Sequence, residues 1–108
     1  QNTTGDYNFA VGIYALRGSL SGGSNTAIGG YALHCNWGGD GNNAIGSSAL
    51  KCNTEGCYNN AIGSNALYNN TIGDHNNALG FQALNNNTTG EYNTAIGCHA
   101  SYGNTIYH

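Results

Sequence analysis

Residues 1–108 are predicted to form a single all-β domain, a parallel β-solenoid (β-roll) wound from one chain in six 17-residue coils plus a partial seventh. Three observations carry this reading. Ala-Ile-Gly recurs at Ala27, Ala44, Ala61 and Ala95, with Ala-Val-Gly at Ala10 and Ala-Leu-Gly at Ala78, always 17 residues apart. Written in rows of 17, the chain places Gly5, Gly22, Gly39, Gly56, Gly73 and Gly90 in one column and Asn8, Asn25, Asn42, Asn59, Asn76 and Asn93 in another. No row of the six gains or loses a residue. A helical repeat tolerates insertions at its turns, and its helices are penalised by recurrent Gly and Asn, so helical solenoids are excluded.

Each part of the coil has a physical reading. Stacked coils pair about 4.8 Å apart, so every residue must tolerate an identical neighbour above and below. A coil opens on a looser column, Asn2, Ser19, Asn36, Asn53, Asn70, Asn87 and Asn104, where a short extended stretch is expected. The Gly5 column marks a corner that needs positive φ or close backbone approach. In the Asn8 column, side-chain amides can bond one another up the stack or close a turn onto the backbone. Asn-x-Ala-Ile follows as a strand. The column Gly12, Gly29, Gly46, Gly63, Gly80 and Gly97 makes a second corner, and the Ala15, Ala32, Ala49, Ala66, Ala83 and Ala100 column, followed by Leu until Ser101, reads as a second strand. Neighbours on a strand face opposite sides, so Ala61 and Ile62 cannot both point inward. The expectation is that Ile and Leu fill a thin interior while the Ala columns form a flat outer surface against other chains.

Composition narrows the function. Formal charge is −3, and Arg17 and Lys51 are the only strong cations, so no basic stripe is present to neutralise phosphates and no nucleic-acid partner is expected. No apolar run approaches the roughly 20 residues that span a bilayer, so no membrane insertion is expected. Eighteen glycines and 6% charged residues could suit a disordered tract, but such a tract would not carry regularly placed Ile and Leu. One Ile and one Leu per coil is a thin apolar load for ordering a whole coil. Association of the rod with itself is therefore predicted. The chain stops at the start of the seventh coil, Gly103-Asn104-Thr105, without a polar cap, as expected of a segment of a longer fibre or a subunit stacking end to end.

The runs Tyr92-Asn93-Thr94-Ala95-Ile96-Gly97, Asn25-Thr26-Ala27-Ile28-Gly29 and Asn59-Asn60-Ala61-Ile62-Gly63 resemble the head repeats of trimeric autotransporter adhesins of the YadA type. Residues Asn76 to Tyr92 are more similar still to the Asn-Thr-Ala-Ile-Gly-x-x-Ala-Leu repeat arrays of tail-fibre-like proteins. The resemblance covers essentially the whole chain. It implies a left-handed roll, commonly a homotrimer, on an extracellular, virion or cell surface, touching surface glycans or a host receptor. It carries over no catalytic residue.

Chemistry-bearing residues are sparse. Cys35 and Cys52 share a column, near the Cα separation a disulfide accepts, so a bridge between adjacent coils and a pair of stacked thiols are both open. Cys57 and Cys98 have no stacked partner and are free thiols or interchain bridges. No second pair joins Cys52 and Cys57 to complete a zinc set, and the dense Gly/Asp repeats of calcium rolls are absent, so no metal or other cofactor is expected. His34, His75, His99 and His108 fall in four columns and read as solvent-facing. Asp6, Asp40, Asp74 and Glu91 share one column, a solvated stripe that offers no paired-carboxylate or Ser-His-Asp arrangement.

Asn2, Asn69, Asn86 and Asn87 each begin an Asn-x-Thr glycosylation sequon. Asn69 and Asn86 lie in a variable, outward column and are preferred, whereas Asn2 and Asn87 lie in the ladder column, where an inward amide cannot carry a sugar. Columns of Tyr, Tyr7 with Tyr58 and Tyr92, and Tyr14 with Tyr31, serve either stacking or sugar and partner binding.

The leading expectation is a structural component of an extracellular fibre or adhesin, not an enzyme. An ice-binding solenoid is the alternative, weakened because the Thr3, Thr54, Thr71, Thr88 and Thr105 column is broken by Leu20 and Trp37. A carbohydrate-binding module ranks below it. Hexapeptide-repeat acyltransferases carry their Ile-Gly signal three times per coil, and here it occurs once.

Overall fold

The computed structural model describes residues 5–101. The partial seventh coil, Asn2 and His108 lie outside the described residues. One strand forms per coil: β1 (Phe9–Val11), β2 (Thr26–Ile28), β3 (Asn43–Ile45), β4 (Asn60–Ile62), β5 (Asn77–Leu79) and β6 (Thr94–Ile96). They build a single parallel sheet in sequence order. The register is the repeat itself, with Ala44 opposite Ala61 and Ile45 opposite Ile62. The fold is thus an all-β solenoid, 34 × 22 × 15 Å.

The leucines fill the interior as expected, but the structure corrects the sequence reading in three ways. Ala27, Ala44, Ala61, Ala78 and Ala95 of the strands point inward and are buried, whereas Val11, Ile28, Ile45, Ile62, Leu79 and Ile96 point outward. The aliphatic stripe, rather than an alanine surface, faces away from the coil. The Ala-Leu segment is also no strand. Ala66 N–H donates to Gly63 O at 3.2 Å and Tyr68 N–H to Asn65 O at 3.3 Å, so this side of the coil is a run of turns. Nor does the Asn-Thr stretch form a strand; it bends.

Those turns explain how two consecutive residues both enter the core. Leu16, Leu33, Leu50, Leu67 and Leu84 hold φ between 51° and 54°. This left-handed conformation is sterically costly for a residue with a Cβ, but it swings the Leu side chain to the same side as the preceding alanine. Ala66 and Leu67 are accordingly both sealed from solvent. Rows remain bonded through this region, as in Leu67 N–H to Ala83 O at 3.0 Å.

The glycine and asparagine columns form one network. Asn59 Nδ2 donates to Gly73 O at 2.7 Å, and Asn59 Oδ1 accepts Asn76 N–H at 2.9 Å. The Gly73 carbonyl also accepts Asn70 Nδ2 at 3.0 Å. The looser column is an amide ladder, Asn53 Nδ2 to Asn36 Oδ1 at 2.7 Å and Asn70 Nδ2 to Asn53 Oδ1 at 3.0 Å. Each buried Asn thus satisfies backbone groups that the turns leave without sheet partners. A Cβ on Gly56 would overlap the Gly73 carbonyl and come within 2.5 Å of Asn53 Oδ1. Close approach, not positive φ, fixes that column, whereas the other column does hold positive φ, 131° at Gly63.

Candidate functional site

With the strand and turn alanines, the turn leucines and the Asn25 and Asn36 columns turned inward, three outer surfaces stand out. The first is the strand face. Two outward columns stand two residues apart, Thr26, Asn43, Asn60, Asn77 and Thr94 beside Ile28, Ile45, Ile62, Leu79 and Ile96. The Asn side chains are locked in their own ladder, Asn43 Nδ2 to Asn60 Oδ1 and Asn60 Nδ2 to Asn77 Oδ1, both at 2.7 Å. Beside them the aliphatic side chains keep 36% to 70% of their surface exposed, and no charged residue interrupts either column. An open apolar groove runs between the columns at Ile62, Leu79 and Ile96.

The second surface is the acidic column. Its groups do more than solvate the rod. Asp40 Oδ1 accepts Gly23 N–H at 2.8 Å and Asp74 Oδ1 accepts Cys57 N–H at 2.7 Å. Cys57 takes over that task in its row, its Sγ accepting Asp40 N–H at 3.4 Å. Next to this column His75 stacks between Tyr58 and Tyr92, with ring centroids 5.3 and 4.8 Å apart. Considering histidines only as histidines hid this; the signal was Tyr above and below His75 in one column.

The third surface gathers Arg17, His34 and Lys51 in three successive coils. The Arg17 guanidinium lies 4.6 Å from the Tyr14 ring centre, and Lys51 Nζ lies 5.0 Å from that of Tyr31 and 5.6 Å from that of Tyr68. His34 packs on Tyr31 at 5.3 Å. Burial, then the Lys51 and Arg17 charges, hold the His34 imidazole below its ordinary pKa.

The remaining candidates lie apart. Cys35, Cys52, Cys57 and Cys98 are free thiols. Burial, and secondly Cys35 nearby, raise the Cys52 thiol above its usual pKa, with Lys51 opposing. Asn69 and Asn86 are half-buried, and Asn69 Nδ2 donates to Asn86 Oδ1 at 3.2 Å. Asn87 is fully buried, its amide nitrogen bonded to Asn70 Oδ1 and Gly90 O. No group of three His, Cys, Asp or Glu side chains that could hold a metal occurs among the described residues. The hydroxyls of Thr54 and Thr71 donate to the carbonyls of Thr71 and Thr88, which commits that threonine column to the coil. No family model, curated protein or solved structure matches the chain.

Proposed function

We propose that this chain is a structural segment of an extracellular fibre or adhesin, a stiff rod that associates with copies of itself through its strand face and presents its other outer columns for attachment. The observation that carries this reading is the uncharged aliphatic stripe from Val11 to Ile96, exposed at every coil. Burying such side chains is favourable by about 25 cal/mol per Å2. Another rod of the same pitch meets the stripe row for row. A face along the 34 Å length of the rod, its three-residue strands about 10 Å wide, offers roughly 300 Å2 per partner, so a pair buries about 600 Å2, a small contact that packing against more than one neighbour enlarges.

Sedimentation is the test. The chain is expected to associate at micromolar concentration, and an Ile45→Ser, Ile62→Ser double variant to remain monomeric with an unchanged circular dichroism spectrum. A wild-type chain that stays monomeric defeats the proposal. Presentation of glycans has its own test: intact mass of chain from a glycosylating host, before and after deglycosylation, with attachment expected at Asn69 and Asn86.

A second reading is favoured by the same face. An array of Asn or Thr paired with Ile, or with Leu79 in β5, repeated from β2 to β6 with ladder-fixed amides, also suits binding to ice. Thermal hysteresis that disappears in the Ile45→Ser, Ile62→Ser variant would select that reading, and its absence from the wild type would discard it.

A further inference from the structure

The placement of charge on this rod is uneven in a way the coil does not need. Both strong cations of the chain, Arg17 and Lys51, fall in one column with His34 between them, while Asp6, Asp40, Asp74 and Glu91 fall in another. Two coils separate the cations, about 10 Å at the usual strand spacing, which is about one Debye length at 0.1 M salt. They repel, and His34 stands between them. Each cation rests on a tyrosine ring rather than on a carboxylate. An open hollow beside Arg17, lined by Gly12, Tyr14 and Ala15, lies at one end of this column.

From this arrangement we infer that the Arg17, His34 and Lys51 column with Tyr14, Tyr31 and Tyr68 is a binding site for an acidic saccharide, a sugar chain bearing carboxylates. Carboxylates along the chain pair with the guanidinium and ammonium groups and relieve their mutual repulsion. The flat C–H faces of the sugar rings lie on the tyrosine rings, whose hydroxyls bond to sugar oxygens. Nucleic acid fits poorly, because its affinity rests on neutralising many phosphates. An anionic membrane surface fits poorly too, because it is read by clusters of about 4–8 cations. The site lies apart from the aliphatic stripe, so the inference is independent of how the rods associate.

Calorimetry with oligogalacturonate tests it, with the methyl-esterified oligosaccharide, duplex DNA and phosphatidylserine vesicles as competing probes. Binding is expected for the acid form alone, to weaken about tenfold in Lys51→Ala and in Arg17→Ala, and to persist in Lys51→Arg. Protonated His34 adds a third positive charge. Its neighbours are Arg17 and Lys51, which oppose protonation, the rings of Tyr14 and Tyr31, and Cys35 Sγ, 3.5 Å from Nδ1. Affinity therefore rises as pH falls through the His34 pKa, which burial and the two cations hold below the ordinary imidazole value, and that rise is lost in His34→Gln. Equal binding of the ester, equal binding of DNA or vesicles, or unchanged binding in both alanine variants overturns the inference.

Discussion

Ala61-Ile62 and Ala66-Leu67 are nearly the same dipeptide, yet the coil treats them oppositely. On the strand, Ala61 is sealed and Ile62 keeps 42% of its surface exposed; on the turn, both Ala66 and Leu67 are sealed. The difference is backbone. An extended pair must split between two faces, whereas Leu67 at φ 52° follows its neighbour inward. Apolar character alone therefore does not assign a residue to the core of so thin a coil. The left-handed leucines let the first five coils bury their largest aliphatic side chain and still leave a second aliphatic outside.

Four measurements test that contrast, the largest effect first. Gly56→Ala places a Cβ against the Gly73 carbonyl and Asn53 Oδ1, and should cost more than about 4 kcal/mol in a urea titration. An intact transition at the wild-type midpoint would show that the coils can spread. Leu67→Ala should cost about 2–5 kcal/mol, while Ile62→Ala should change monomer stability by no more than about 0.5 kcal/mol. Equal costs would erase the distinction between the two dipeptides.

The third measurement concerns an outer column. Oxidation is expected to join Cys35 to Cys52 and raise unfolding free energy by about 3 kcal/mol through loop closure. Mass spectrometry under non-reducing conditions, with Cys35→Ser as control, detects the bridge. The smallest effect is a gain. Ser19 occupies a row of the amide ladder, and its buried hydroxyl has no partner among the described residues. Ser19→Asn supplies an acceptor for Asn36 and a donor for Gly22 O, as Asn53 does for Asn70 and Gly56 O, and should stabilise the chain by about 1 kcal/mol. No gain would mean that the ladder does not extend into that row.

Much of this was legible in the sequence. The period, the parallel register and the two uses of glycine follow from columns that cannot vary when each residue stacks on its own kind. The inward face of Asn36, Asn53, Asn70 and Asn87 was legible for the same reason. What the sequence hid was the conformation at Leu16, Leu33, Leu50, Leu67 and Leu84. A leucine at positive φ runs against local preference, so neither composition nor alternation announces it; the leucines do fill the interior as expected, but the isoleucine and alanine columns were assigned to the wrong sides. The Arg17, His34, Lys51 cluster was legible in principle, since all three residues share a column, but it appears only when unlike cations are aligned together.

The Gly73 carbonyl receives an amide from Asn70 in its own coil and another from Asn59 in the coil before. That double bond count ties the length of a coil to its neighbours. Adding or removing one residue between Asn59 and Gly73 would set that coil's carbonyl out of reach of one of its two amides. A small insertion there costs the coil its bonds to its neighbour, whereas a whole added coil costs none. Lengthening by whole coils is therefore the least costly change, and a family of such rods should favour graded lengths separated by equal steps.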